Sequence, residues 1–171
     1  MRTYIVGPSG VGKTPLAKQI VLYEKREHIS AGAWSRAAIL QGNDSAEQYR
    51  EKLIAYSRQV LAKDPDHTIA YLTPRLTPNA IIDGIRNPRD FAHLFDYRRD
   101  EVIFIDAQYA RPTQFDTGID SIKSYATWLV TNKLLPEKNM RSYLVDVLER
   151  QCCERGVTSL DDVIARETYL K

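Results

Sequence analysis

The sequence predicts a single-domain α/β fold in three layers, a parallel sheet with helices on both faces. Three observations carry this. Short apolar runs at 3–6 (TYIV), 80–83 (AIID) and 102–106 (VIFID) lack polar alternation, the pattern of strands covered on both sides. Helical patterns stand between them, and the order strand, helix, strand, helix, strand builds parallel sheets through right-handed crossovers. A glycine-rich turn, GPSGVGKT, joins the first strand to the first helix.

Residues 13–25 read as that first helix, with Leu16, Ile20 and Tyr23 on one face. Pro15 falls in its first turn, where a missing N–H does no harm. Ser30, Ala31 and Gly32 then break the pattern, and Trp34 and Arg36 open the next segment. The clearest amphipathic helix is 46–62, where Ala46, Tyr49, Leu53, Tyr56 and Val60 recur at spacings of three and four, and the two tyrosines read as core. DPDHTIAYLTPRL begins another helix, with Asp64 or Asp66 as its cap, and a further one is expected near 88–97. Arg98, Arg99 and Asp100 read as a solvated turn. Residues 119–135 and 138–154 read as helical, the second with Met140, Leu144, Val147 and Leu148 as a buried stripe. A further late strand is compatible with this order, but no segment stands out as one.

The chain has 171 residues, 43% hydrophobic and 27% charged, enough for one core without disulfides. No apolar run approaches the roughly 20 residues of a membrane span, and the N-terminus opens on a strand rather than a signal pattern, so a cytoplasmic protein without a membrane partner is expected. The net charge of +2 suits an anionic substrate and falls short of the basic stripe of a dedicated DNA binder. Cys152 and Cys153 are adjacent, which excludes an ordinary disulfide between them and the spaced thiolates of a zinc site. His28, His67 and His93 lack metal-ligand spacing and read as solvated or capping residues.

GPSGVGKT fits the pattern G-x-x-x-x-G-K-[ST] at every fixed position. Gly7, Gly10 and Gly12 let backbone N–H groups turn toward a phosphate, and the helix N-terminus adds its dipole. With Pro8, Ser9, Val11 and Pro15 they form the expected nucleotide-binding loop. Lys13 is expected on the β and γ phosphates of ATP, and the Thr14 hydroxyl on Mg²⁺. A second group is IIDGIRNPRDF, residues 81–91. Asp83 follows a buried strand, so its carboxylate should emerge at the C-terminal edge of the sheet, where ligands of open α/β sheets bind. There it is suited to the Mg²⁺ shell or to receiving a proton, while Arg86 grips an acceptor phosphate with help from Arg89. The plainer reading makes DG a turn and NP a helix start. A third group is HISAGAWSRAAI, residues 28–39, where Trp34 is equally suited to stack on a base or anchor the core, and Arg36 to clamp a phosphate or sit in solvent.

In order and rough spacing, GPSGVGKT, HISAGAWSR and IIDGIRNPRDF resemble the nucleoside monophosphate kinase superfamily. HISAG....R is similar to the acceptor-site stretch of adenylate kinases, which puts acceptor binding on Ser30, Trp34 and Arg36. DGIRNPRDF is closer to dephospho-CoA kinase-like enzymes and phage deoxynucleoside monophosphate kinases, which implies catalytic and acceptor roles for Asp83 and Arg86. REKLIAYSRQVLAKDPDHTIAYL resembles the helical insert of those phage enzymes, so that about 28–77 would form an acceptor-binding insert. Ala33 stands where adenylate kinases carry an acidic residue, DG-I-R replaces DG-F-P-R, and no long lid follows Asp106. Arg111, in a short lid-like loop at about 107–118, is the lid candidate, or else an ordinary loop arginine.

The resemblance implies an ATP- and Mg²⁺-dependent kinase of a small nucleotide-like acceptor. A second reading keeps the chemistry and takes the hydroxymethyl group of 5-hydroxymethyluracil in DNA as acceptor, as phage-type DNA kinases do, with the host cytoplasm as location. A third is a nucleotide-dependent switch or ATPase module. No oligomeric state follows from the sequence.

Overall fold

The computed structural model describes residues 1–8, 13–107, 117–145 and 168–169. Its centre is a six-stranded sheet of order β2-β3-β1-β4-β5-β6. The strands are β1 (Thr3–Val6), β2 (His28–Ser30), β3 (Ile81–Asp83), β4 (Glu101–Ala107), β5 (Met140–Val145) and β6 (Thr168–Tyr169). The first five are mutually parallel, and β6 runs antiparallel to β5. The helices are α1 (Lys13–Glu24), α2 (Ala33–Ala38), α3 (Ala46–Lys63), α4 (His67–Leu72), α5 (Pro88–Leu94) and α6 (Thr117–Thr131).

Side chains alternate across the strands and so divide the core into two layers. Ile5, Ile81, Ile103 and Ile105 pack under α1 through Leu16, Ala17 and Ile20. Tyr4, Val6, Ile82, Val102 and Phe104 face the other way, against α4, α5 and α6. Phe91 is fully buried there, stacked on Phe95 at 4.7 Å and edge-on to Tyr4 at 5.8 Å. The expected three-layer α/β architecture is therefore present. From β1 the chain passes to β2 and β3 on one side and to β4 and β5 on the other, which leaves a switch point at the C-terminal end of β1.

Several expectations change. Tyr23 is exposed, so α1 buries Leu16 and Ile20 without it. Residues 28–30 form an edge strand rather than a break, paired with β3 through His28↔Ile81, Ile29↔Ile82 and Ser30↔Asp83. α3 has the predicted span and a Ser45–Gln48 capping box, yet buries no residue fully, so Tyr49 and Tyr56 pack at its half-exposed face rather than in the core. Asp66 occupies the N-cap of α4 without making a side-chain cap bond. Asp100 is no solvated residue: it is 1% exposed, accepts from Arg2 Nε at 3.1 Å and from the Asp96 amide at 2.9 Å.

The helix expected over 138–154 is overturned in its first part, where Glu137–Asn139 make one 3₁₀ turn and Met140–Val145 a strand beside β4. Met140 and Leu144 fit a helical stripe as well as a strand; the open edge of β4 and its unmet backbone groups decide the matter. Val147, Leu148, Cys152 and Cys153 lie outside the described residues. Among the described residues no helix is long and apolar enough to cross a membrane.

Candidate functional site

The C-terminal ends of β1, β2 and β3 bring the three sequence groups to one edge of the sheet. Lys13 opens α1 straight after the glycine turn and is 8% exposed. Its Nζ donates to the carbonyls of Gly7 and Pro8, each at 2.7 Å, folding the ammonium onto its own loop. Ser9, Gly10, Val11 and Gly12 lie outside the described residues, as does Arg111, and of Pro15 only the helical backbone is described.

Thr14 follows in α1, and its Oγ1 donates to Asp83 Oδ2 at 2.7 Å. Asp83 ends β3 and is 1% exposed. His28, two registers back on the adjacent β2, brings Nε2 to 3.1 Å from the same Oδ2, off line for a hydrogen bond. Burial pushes the Asp83 carboxyl up, but His28, the Thr14 hydroxyl and Ser30 outweigh it and hold the carboxyl below its ordinary value. Oδ1 is buried without a partner among the described residues. A hydroxyl and an ionised carboxylate with a spare oxygen, next to a phosphate loop, are the hard oxygen donors that Mg²⁺ takes, so these residues fit that ion. Among the described residues no group of three or more histidine, cysteine or acidic side chains is placed to hold a metal ion by itself.

Gly84 adopts φ +85, a conformation costly for any residue with a Cβ, and turns the chain from β3 into the segment leading to α5. That turn carries Arg86 into the site. The Arg86 carbonyl lies so close to Gly118 of α6 that a Cβ there would collide with it, which fixes the segment from behind. On the opposite wall Arg36 folds back over Gly32, and its Nη2 donates to Ser30 Oγ at 2.7 Å. A Cβ on Gly32 would stand 2.9 Å from Arg36 Nη1, so this pose depends on the glycine.

Lys13, Thr14, Ser30, Trp34, Arg36, Asp83 and Arg86 line one cavity of about 420 Å³. That size suits a small ligand. Trp34 is half-buried: it packs edge-on to His67 at 4.5 Å and tilted against Tyr56 at 6.1 Å, and it also lines the cavity. Arg89 is turned away, with Nη2 2.7 Å from Asp66 Oδ1, and is not among the lining residues. His28 and His67, read from sequence as solvated or capping, instead contact Asp83 and Trp34.

Sequence reasoning missed Ser57 and Leu61 of α3, Thr68 of α4, Asn87 at the N-cap of α5 and Asp90 in its first turn, all of which line the cavity. Ser57 and Leu61 are ordinary residues of an amphipathic helix, and nothing in their spacing points to a ligand. Asn87 and Asp90 read as helix-start chemistry, and Asn87 does accept from the Arg89 amide at 2.9 Å. Three cationic and two acidic side chains line the cavity, an arrangement that can hold anionic groups beside an ionised carboxylate.

No protein-family model and no curated protein sequence matches the chain. Among solved structures, shikimate kinase from Bacteroides thetaiotaomicron aligns with a TM-score of 0.42 at 14% identity, over 96% of this chain and 98% of that one. Shikimate kinase from Aquifex aeolicus aligns with a TM-score of 0.44 at 18% identity, over 96% and 99%. A structure of the PezAT chromosomal toxin-antitoxin system of Streptococcus pneumoniae aligns with a TM-score of 0.44 at 16% identity, over 100% of this chain and 78% of that one. At these values the likenesses say nothing of activity.

Proposed function

We propose that this chain is an ATP- and Mg²⁺-dependent phosphotransferase whose acceptor is nucleotide-like, a nucleoside or deoxynucleoside monophosphate. One observation carries the reading: Lys13 and Thr14, at the end of the phosphate loop, share a single cavity with Arg36 and Arg86. Hydrolysis or switching needs one anion site; transfer needs two that face each other.

In this reading Lys13 leaves the Gly7 and Pro8 carbonyls for the β and γ phosphates of ATP. Thr14 and Asp83 would hold Mg²⁺, which would supply charge neutralisation for the phosphates. Arg36 and Arg86 grip the acceptor phosphate through planar, bidentate contacts, and Trp34 offers its ring to the base. An acceptor oxygen attacks the γ phosphorus, the new O–P bond forms, and the bond to the β,γ-bridging oxygen breaks with its electron pair leaving on ADP. Catalysis is then positioning and charge stabilisation. After the sheet strand β2, the stretch to about residue 77 supplies Trp34, Arg36, Ser57, Leu61 and Thr68 to the acceptor wall, and Arg111, outside the described residues, is the lid candidate.

A monophosphate acceptor arrives ionised, so transfer to it needs no proton taken from the attacking oxygen. The test is transfer of label from γ-labelled ATP to a panel of monophosphates, dephospho-CoA and hydroxymethyluracil-containing DNA. Label on a monophosphate is the expected result. ATP binding with no labelled monophosphate sinks the reading; label on the DNA alone selects the DNA kinase, and phosphate release without any acceptor selects the switch.

A further inference from the structure

A second carboxyl in the cavity has no part in phosphoryl transfer. Asp90, in the first turn of α5, is 4% exposed, and makes no hydrogen bond or ion pair with any described residue. Its Oδ1 is sealed from solvent and unpartnered. Buried polar groups are nearly always satisfied, and one left unmade costs the folded state its desolvation. The charges around it do not supply a partner. Arg89, the adjacent residue, is committed to Asp66, and His93 lies one turn on along α5. Burial accordingly pushes the Asp90 carboxyl up, with Arg89 and His93 opposing and Asp66 reinforcing.

Such an arrangement is kept where a ligand completes it. Asp90 lines the same cavity as Arg86, Trp34 and Thr68, the last of which is also buried. An unpaired carboxyl calls for a hydrogen-bond donor, which a nucleotide acceptor carries on its sugar hydroxyls and on its base; Asp90 shares the cavity with Trp34, the ring offered to the base, and this points to the base.

We propose that Asp90 selects the acceptor, its carboxyl taking a hydrogen bond from an N–H group on the edge of the nucleobase while Arg36 and Arg86 hold the phosphate. This rests on the nucleotide-acceptor reading above. The carboxyl then discriminates among bases by the donors and acceptors they present at that edge, and a site built around one hydrogen-bonding group rejects ligands that leave it unmet.

The experiment is steady-state kinetics of the full chain with a panel of nucleoside monophosphates differing only in base, for the wild type, Asp90→Asn and Asp90→Ala. Asn keeps the shape and exchanges one acceptor for a donor. The expected result is a tenfold or larger change in the ratio of kcat/KM between bases for Asp90→Asn. Acceptor KM should rise by a similar factor for Asp90→Ala, with the KM for ATP unchanged in both. A group that serves only the first turn of α5 would alter the melting temperature and leave base ratios alone. Unchanged ratios and unchanged acceptor KM in both folded variants overturn the assignment while leaving the kinase reading intact. A wild type that labels no monophosphate overturns the two together.

Discussion

Thr14 Oγ1 donates to Asp83 Oδ2 at 2.7 Å across 69 residues of sequence, joining the first turn of α1 to the end of β3. The two strands involved, β1 and β3, pair in parallel with Ile5 opposite Asp83, so the contact follows from sheet register rather than from any local pattern. It sets a hydroxyl and an ionised carboxylate side by side at the C-terminal edge of the sheet.

Removing either partner should disable transfer while leaving the fold. For Thr14→Val and Asp83→Asn we expect kcat to fall by roughly 10²–10³, the scale of losing one preorganised electrostatic contact. Nucleotide binding without Mg²⁺ should change little. Calorimetric ATP titration with and without the ion, beside initial rates, checks this; equal Mg²⁺ dependence in variant and wild type would contradict it.

The two arginines should report on the acceptor and not on the donor. Arg36→Lys and Arg86→Lys keep the charge and lose the bidentate fork, so acceptor KM is expected to rise about tenfold or more while the KM for ATP holds. Double-substrate kinetics separate the two constants. A rise confined to the ATP constant would move the arginine to the donor side.

The two carboxyls of the cavity should respond to pH with opposite sign. Burial holds Asp90 above its ordinary value, so its favourable contribution to stability is complete below the unfolded value, about 3.9, and is lost as pH rises through the folded one. Asp90→Asn should thus raise the melting temperature by a few degrees near neutral pH, with the gain shrinking toward pH ~4. Asp83 is held below its ordinary value despite burial, by His28, Thr14 and Ser30, so its contribution is present above about 3.9 and is lost as pH falls through the folded value. Asp83→Asn should cost stability near neutral pH and progressively less below pH ~4. Thermal melts across pH read both signs.

At the opposite edge of the sheet, Asp100 should matter for stability alone. It is buried, paired to Arg2 Nη2 at 3.0 Å and bonded to the Asp96 amide. Asp100→Ala is expected to cost about 2–3 kcal/mol, the scale of hydrogen bonds to a buried charge, with kinetic constants unchanged at temperatures where the variant stays folded. Urea denaturation measures it.

Legibility along the chain followed how far a residue's partners lay from it. Unbroken apolar runs marked β1, β3 and β4 because burial on both faces leaves a local trace in the sequence. The half-buried edge strand β2 leaves none, and Met140–Val145 carried apolar spacings that fit a helix until β4 supplied a parallel partner. Tyr23 illustrates the converse: its helical spacing was right, yet α1 is covered by the sheet over a narrower face than the pattern suggested.

The site divides in the same way. GPSGVGKT by itself carries the expectation of a phosphate site, since that chemistry needs small residues, a lysine and a hydroxyl at fixed local spacing. Sequence also narrowed the acceptor region to Trp34, Arg36, Asp83 and Arg86. Only the tertiary structure decided that these share one cavity, that Arg89 turns away to Asp66, that His28 leans on Asp83, and that Asp90 is buried there without a partner. The reason is that local spacing encodes backbone shape, whereas desolvation and pairing of a charged group depend on strands and helices dozens of residues away.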